Sequence, residues 1–265
     1  MLKQRVLTAL VLLPLMLGML FWSSSWLWAA FSGLIALLAL WEFGRMSGLD
    51  EVANHRYLAF TVLFGVVAYT GGWKLPPMVW LAVLLFWGVC MPLWLKKKWK
   101  LNGGWQAYSV GWLLMIVFWF ALTTLRPTED SAVSLLAVMG LVWVADIFAY
   151  FSGKAFGKHK LAPAISPGKS WEGVIGGCVC VTIYMLLVWH AGWLAFQTSW
   201  FGAIIVGWIL TTVSVCGDLL ESWLKRAAGV KDSSNLLPGH GGVFDRVDSL
   251  IAVLSVYAAI MSLMN

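Results

Sequence analysis

The sequence predicts an all-α integral membrane protein, a polytopic helical bundle of about nine transmembrane helices. Three observations predict it. The 265 residues are 61% hydrophobic and only 11% charged, with a mean hydropathy of +0.83; soluble domains run nearer to about 45–50% apolar and about 25% charged. The apolar residues gather in runs of about 20, the length that crosses a hydrocarbon core of about 30 Å. The basic residues fall between those runs.

In lipid the backbone must satisfy its own hydrogen bonds, so each long apolar run is expected to be a helix. The runs are 5–22, 25–43, 57–72, 76–95, 108–125, 131–152, 171–191, 200–224 and 243–264. The third is short. The eighth is long and ends in charges, so its last turns should leave the hydrocarbon. Lys3 and Arg5 precede the first run, as in a secretory leader. That run is longer than a usual leader core and no small-residue cleavage site follows it, so a retained helix is expected. Of the 19 Trp, Trp22, Trp26, Trp73, Trp94 and Trp200 lie at run ends, where indole rings anchor at the lipid interface. The others are expected to pack. Cys90, Cys178, Cys180 and Cys216 sit in apolar runs without a CxxC pair or a His at zinc-ligand spacing, so they read as small core residues.

The net charge is +6. In a soluble protein it would suggest nucleic acid as a partner. Between apolar spans it speaks instead for lipid headgroups, topology and anionic substrates, and no nucleic-acid partner is expected. With a cytoplasmic N-terminus and nine alternating spans, all but Lys74 and Arg126 of the 18 Lys and Arg fall on the cytoplasmic side. The polar loops 153–170 and 225–242 then face the compartment that holds nucleotides. Lack of extra domains suggests a bacterial inner membrane. Embedded carboxylates are sparse in residues 1–125 and frequent after them. Residues 1–125 therefore read as a transmembrane scaffold, and 126–265 as the catalytic region.

Ionisable groups inside a membrane are costly and usually functional. In 217–226, Asp218, Glu221, Ser222 and Lys225 recur at i, i+3, i+4 and i+7, one face of a helix otherwise carrying Leu219, Leu220, Trp223 and Leu224. That stripe either faces a cavity or marks a helix end emerging into water. Asp146, Tyr150 and Gly153 repeat the spacing near the end of the sixth run; a single buried Asp held by local groups is the plain alternative. Ser166-Pro167-Gly168-Lys169-Ser170-Trp171-Glu172-Gly173 opens the seventh run. It is either an anion-binding helix start with Lys169 adding charge, or a simple N-cap by Ser170. It lacks P-loop spacing. In 231–248, Pro238, Gly239, Gly241 and Gly242 make a pliant loop. Asp245 and Asp248 then stand at i and i+3 in a helix start, with Arg246 between them.

Carboxylates without nearby His or Cys ligand sets suit hard cations such as Mg2+, and Lys and Arg suit phosphates. Together they describe metal-assisted phosphoryl or nucleotidyl transfer at a membrane surface.

The stretch 222–248 carries Ser222, Leu224, Lys225, Arg226, Lys231, Asp232, Ser234, Leu237, Pro238, His240-Gly241-Gly242-Val243 and Asp245-Arg246-Val247-Asp248. It resembles the full signature of the phosphatidate cytidylyltransferase (CDP-diacylglycerol synthase) family. Asp146-x3-Tyr150-x2-Gly153, Ser166-Pro-x-Lys169-x2-Glu172-Gly173 and Gly217-Asp218-x2-Glu221-Ser222 resemble its upstream motifs. The resemblance implies a helical membrane enzyme, a homodimer dependent on Mg2+ in a two-ion site, with K+ as a candidate second ion. It implies Asp218, Asp245 and Asp248 as metal carboxylates, with Lys225, Arg226 and Arg246 also catalytic. Lys169, Ser222, Lys231 and His240 would join those basic residues in holding phosphates or CTP. Asp146, Tyr150, Ser166, Glu172, Glu221, Asp232, Gly241 and Gly242 would complete substrate binding.

The reaction so implied joins CTP and phosphatidate to give CDP-diacylglycerol and diphosphate. A CTP-dependent lipid or polyprenol kinase is the enzymatic alternative, and an ion-coupled transporter is an alternative of a different class.

Overall fold

The computed structural model describes residues 2–264, with side chains from Val6 to Met264; the side chains of Lys3 and Arg5, invoked for orientation, lie outside the described residues. Nine helical runs occur among the described residues. They are α1 (Leu2–Trp22), α2 (Ser25–Met46), α3 (Glu51–Thr70), α4 (Pro77–Lys97), α5 (Gly104–Leu125), α6 (Ala132–Phe156), α7 (Trp171–His190), α8 (Trp200–Ala227) and α9 (Phe244–Met264). Seven are long and apolar enough to cross a membrane; α1 and α3 are not among them. The expected all-α polytopic architecture is therefore present. Hydropathy placed the third start at 57, whereas α3 begins at Glu51, because its polar first turns (Glu51, Asn54, His55, Arg56) hide from a hydropathy reading.

Local chemistry sets several boundaries. Ser24 caps α2 by accepting from Leu27 N, and Asp50 caps α3 by accepting from Ala53 N at 2.9 Å. Within α4 a π turn spans Phe86–Cys90, just before Pro92. Proline has no N–H and its ring crowds the carbonyl four residues back, so a widened turn there relieves the helix.

The chain forms two compact units. The first comprises Met1–Pro76, Lys98–Ala132 and Leu224–Asp248. In it α2 packs along α5 and α3. Two buried indoles tie α2 to α5: Trp28 Nε1 donates to Leu122 O at 3.1 Å, and Trp119 Nε1 donates to Ala29 O at 3.0 Å. Gly33 leaves room for the second, since a Cβ there would stand 3.3 Å from Trp119 Nε1. α2, α3 and α5 leave an apolar cavity of about 370 Å³, lined by Trp26, Gly33, Leu37, Gly65, Tyr69 and Trp119 among others. It has no carboxylate or basic lining residue, so it does not suit phosphate chemistry.

Arg126, which entered the sequence reading only as a topological exception, is 1% exposed in this unit. Its Nε donates to Leu20 O and its Nη2 to Ser23 O, both at 2.7 Å, and its guanidinium lies 5.2 Å from the Trp28 ring centroid. It thereby satisfies carbonyls at the end of α1 that the helix cannot satisfy itself.

The second unit comprises Pro77–Lys97, Val133–Trp223 and Ser249–Asn265. Polar side chains stitch its helices. Tyr184 Oη donates to Ala137 O at 2.8 Å, Trp208 Nε1 donates to Thr182 Oγ1 at 2.8 Å, and Ser249 Oγ donates to Ser214 O at 3.1 Å. Between α6 and α7 lies an antiparallel hairpin, β1 (Lys160–Ala162) and β2 (Ser166–Ser170). The sequence reading expected only a loop there. A turn at Pro163–Ile165 folds the strands together, and Ile165 is buried as its anchor.

Trp22, Trp26, Trp73 and Trp200 are exposed, as interfacial anchors would be; Trp94 is 6% exposed and belongs to the packed residues instead. The four cysteines are half-buried free thiols, not fully buried core residues.

Arg126→Ala should lower the thermal midpoint of the purified protein, through a loss of about 2–4 kcal/mol from two orphaned carbonyls. Lys74→Ala, at an exposed position, should not. Equal midpoints for the two variants in detergent would show that the buried guanidinium does not hold α1.

Candidate active site

Motif residues occur in both units, and each cluster has its own geometry. In the second unit, α6 and α7 cross at small residues. A Cβ on Gly173 would come within 2.8 Å of Ala149 O and 3.5 Å of Gly153 Cα; one on Gly177 would come within 3.1 Å of Ala145 O. Small residues let helix backbones approach this closely in lipid. The contact brings the α7 start beside α6, so Gly153 of the first motif serves packing.

Ser170 caps α7 by accepting from Gly173 N at 3.2 Å. The expected N-cap by Ser170 is therefore present. Lys169, the preceding residue on β2, extends Nζ to 2.6 Å from Asp218 Oδ2 on α8. The pair is 22% and 33% exposed, so it is not sealed inside the helices. Ser222, one turn on, donates to Asp218 Oδ1 at 3.3 Å. Asp146 lies on an exposed part of α6, and Asp218 and Lys169 are the charged groups acting on it. Lys169, Asp218 and Ser222 thus form one cluster. Tyr150 is 63% exposed, with Lys154 Nζ 6.0 Å from its ring centroid. Ser166 begins β2 and pairs with Ala162.

Glu172 closes the hairpin. Its carboxylate accepts from His159 N at 3.2 Å and meets His159 Nδ1 at 2.6 Å, while Trp171 N donates to His159 O at 3.0 Å. Glu221, on the polar stripe of α8, is 1% exposed.

In the first unit the loop between α8 and α9 carries the remaining motif residues. Leu237-Pro238-Gly239-His240 forms a tight turn: His240 N donates to Leu237 O, and Leu237 N donates to Gly241 O, both at 2.9 Å. Proline fits the second position of such a turn, and Gly239 has the positive φ (75°) that its third position needs. Thr8 of α1 donates to Pro238 O at 3.0 Å. His240 Nδ1 is buried and has no hydrogen-bond partner.

Asp245, in the first turn of α9, gathers this loop. Oδ2 accepts from Ser233 N, Ser233 Oγ and Gly242 N, each at 2.8 Å, and Oδ1 faces Lys225 Nζ at 2.6 Å. Lys225 and Asp245 side chains are only 14% and 4% exposed. Asp248 follows one turn later and is half-buried. Arg226, Lys231, Asp232 and Arg246 are exposed.

A second carboxylate on the same loop escaped the sequence reading. Glu42, near the end of α2, is 0% exposed. It accepts from Ser233 Oγ at 2.9 Å, Ser234 Oγ at 2.5 Å, Val243 N at 3.0 Å and Phe244 N at 2.6 Å. The signal was present, an acidic residue between Trp41 and Phe43 inside an apolar run. It lay in the segment read as scaffold and beside Arg45, where it passes for a headgroup-level charge.

A sequence model described as the Cytidylyltransferase family matches residues 3–264. The chain belongs to the cytidylyltransferase family. Its relatives agree along the length. A protein of Pseudomonas aeruginosa named phosphatidate cytidylyltransferase is 43% identical over 269 residues, covering 98% of this chain and 97% of that protein. One of the same name from Haemophilus influenzae is 37% identical over 294 residues, covering 97% and 98%. Another, from Brucella abortus, is 45% identical over 137 residues, about half of each chain at 51% and 50%. As a cytidylyltransferase-family member the chain is a nucleotidyltransferase, and its clustered Lys, Asp and Ser side chains suit that chemistry.

In this family member Gly173→Ala should push α7 off α6 and lower the thermal midpoint, at a cost of about 1–3 kcal/mol. Gly168→Ala, with nothing within 4 Å of its added carbon, should leave the midpoint unchanged. A stable Gly173→Ala protein would show that the close crossing is dispensable.

Proposed function

We propose that the chain transfers a cytidylyl group from CTP to phosphatidate, giving CDP-diacylglycerol and diphosphate. The observation that carries this reading is the Lys169–Asp218–Ser222 cluster, in a family member whose full-length relatives bear that activity's name.

A phosphatidate oxygen attacks the α-phosphorus of CTP, the bond to the β,γ-diphosphate breaks, and diphosphate carries the electron pair away. A phosphate monoester has its second pKa near about 6, so at neutral pH the attacking oxygen needs no general base. The obstacle is repulsion between two anions. Lys169 lowers it from the hairpin beside the α7 start. Arg226, Lys231 and Arg246, all exposed, reach phosphates from the α8–α9 segment. Gly241, Gly242 and His240 would shape the loop from which those side chains reach out.

The donor set suits Mg2+. It consists of carboxylate and hydroxyl oxygens. Mg2+ uses one or two carboxylates and takes its other ligands from phosphates and water. Asp218 would hold one ion. Asp248 would hold a second, for which K+ is a candidate; Asp245, whose oxygens are taken by Lys225, Ser233 and Gly242, would hold the loop beside it. Such ions supply charge neutralisation and orientation of the phosphates.

We further propose the bacterial inner membrane, with the N-terminus and the loops 153–170 and 225–242 in the cytoplasm, on the strength of the Lys and Arg bias. A homodimer follows from the family resemblance.

The purified protein with phosphatidate, CTP and Mg2+ should form CDP-diacylglycerol and diphosphate in equal amounts, and excess EDTA should abolish both. Asp218→Asn and Asp248→Asn should each lower kcat by about 10²–10³-fold while the protein still folds. Release of CDP instead of diphosphate would assign a kinase. Near-normal turnover in both variants would overturn the metal assignment.

A further inference from the structure

We propose that Glu42 is a positioning residue for the cytidylyl transfer: from α2 it sets the backbone of the motif loop and the start of α9. The inference rests on the proposed reaction for its kinetic consequence, but not for its geometry.

The match of groups is specific. An ionised carboxylate accepts only, with about four lone-pair sites. Glu42 meets four donors, two hydroxyls and two backbone N–H groups, divided between its two oxygens. Val243 and Phe244 stand at the start of α9, where N–H groups have no intrahelical partner. A Ser, Thr, Asp or Asn immediately before the helix would reach the amides two and three residues on, not these two. Here Val243 precedes the helix and has no side-chain acceptor. The acceptor comes from a different helix far back in the chain, and its charge also suits the positive end of the α9 dipole.

Two carboxylates thereby hold the loop from opposite directions in sequence. Asp245 binds Ser233 N and Gly242 N from within α9. Glu42 binds the next donors along, Ser234 Oγ, Val243 N and Phe244 N. The Ser233 hydroxyl touches both, and with one proton it donates to one at a time. Gly242 is obligatory in this arrangement, because a Cβ there would overlap Ser233 Oγ and Glu42 Oε1. Gly241 has φ of 81°, and its Cβ would come within 2.8 Å of Asp245 Oδ2. Pinned between these contacts is the His240-Gly241-Gly242 segment, followed directly by Asp245, Arg246 and Asp248. Glu42 itself is fully buried, so it acts on the reaction through the loop.

Glu42→Gln tests this. Gln keeps the shape, but replaces one acceptor oxygen by an NH2 that opposes N–H and O–H donors. The folded variant should lose about 10–100-fold in kcat, with KM for CTP changed less than threefold, as expected for a loss felt mainly in the transition state. Hydrogen exchange at the 242–244 amides should quicken, while exchange in α5 stays as in the wild type. Wild-type kcat and wild-type protection at 242–244 would overturn the proposal. So would a variant that yields less folded protein with normal turnover per folded molecule.

If Glu42→Gln does not fold, Ser234→Ala decides. It removes one side-chain donor and should lower kcat about 3–10-fold with faster exchange at 242–244; an unchanged kcat and unchanged exchange would overturn the proposal. The exchange readout does not need the substrate assignment. A wild-type chain that makes no CDP-diacylglycerol would sink the proposed reaction and leave the clamp to be judged on exchange alone.

Discussion

A carboxylate without water must find its hydrogen-bond donors inside the protein, and in this chain that requirement organises the motif loop. Glu42 has no exposed surface and is met by two hydroxyls and two backbone amides. Removing any one donor would leave a buried lone pair unsatisfied, which is costlier than the bond is worth. The loop therefore has little freedom where it meets α2. Gly242 and Ser233 follow from it: one is small enough to admit the carboxylate, the other has the hydroxyl that reaches it. Asp245 repeats the device on the same loop, with Lys225 balancing its charge.

The second unit uses steric closeness where the first uses charge. Gly153, Gly173 and Gly177 let α6 and α7 approach until an added Cβ on Gly173 or Gly177 would crowd a facing carbonyl. Lipid offers no hydrophobic drive between helices, so intimate van der Waals contact and short polar links must supply cohesion. The hairpin and the Ser170 cap then place Lys169 against Asp218. His159 and Glu172 close the hairpin at its base, so the lysine is borne by a short, doubly tied segment.

Charge is accordingly placed in two ways. Buried ionisable groups such as Glu42, Asp245 and Arg126 are matched donor to acceptor and shape the backbone. Exposed ones such as Arg226, Lys231 and Arg246 are left on the surface, where flexible basic side chains can follow phosphates. A reaction between two anions at a membrane needs both, since mobile cations without an ordered loop would attract the substrates without aligning them.

The sequence by itself determined the solvent, the helices and the chemistry. Apolar runs of spanning length have few alternatives in lipid, and a periodic polar stripe such as Asp218, Glu221, Ser222 and Lys225 is legible from residue order because it is local. The Ser170 cap was legible for the same reason. Partners distant in the chain were not. Nothing in the order of residues says that Glu42 meets Phe244, that Arg126 meets Leu20, or that Lys169 meets Asp218. Those pairings depend on how helices cross, and crossing is decided by side-chain packing over the whole unit. The β1–β2 hairpin was hidden too, because its Pro and Gly read as helix breakers and its pairing is set by the anchoring of Ile165. Tertiary structure thus decided which acids are ligands of the loop and which stay exposed, since burial and donor geometry, not residue type, separate the two.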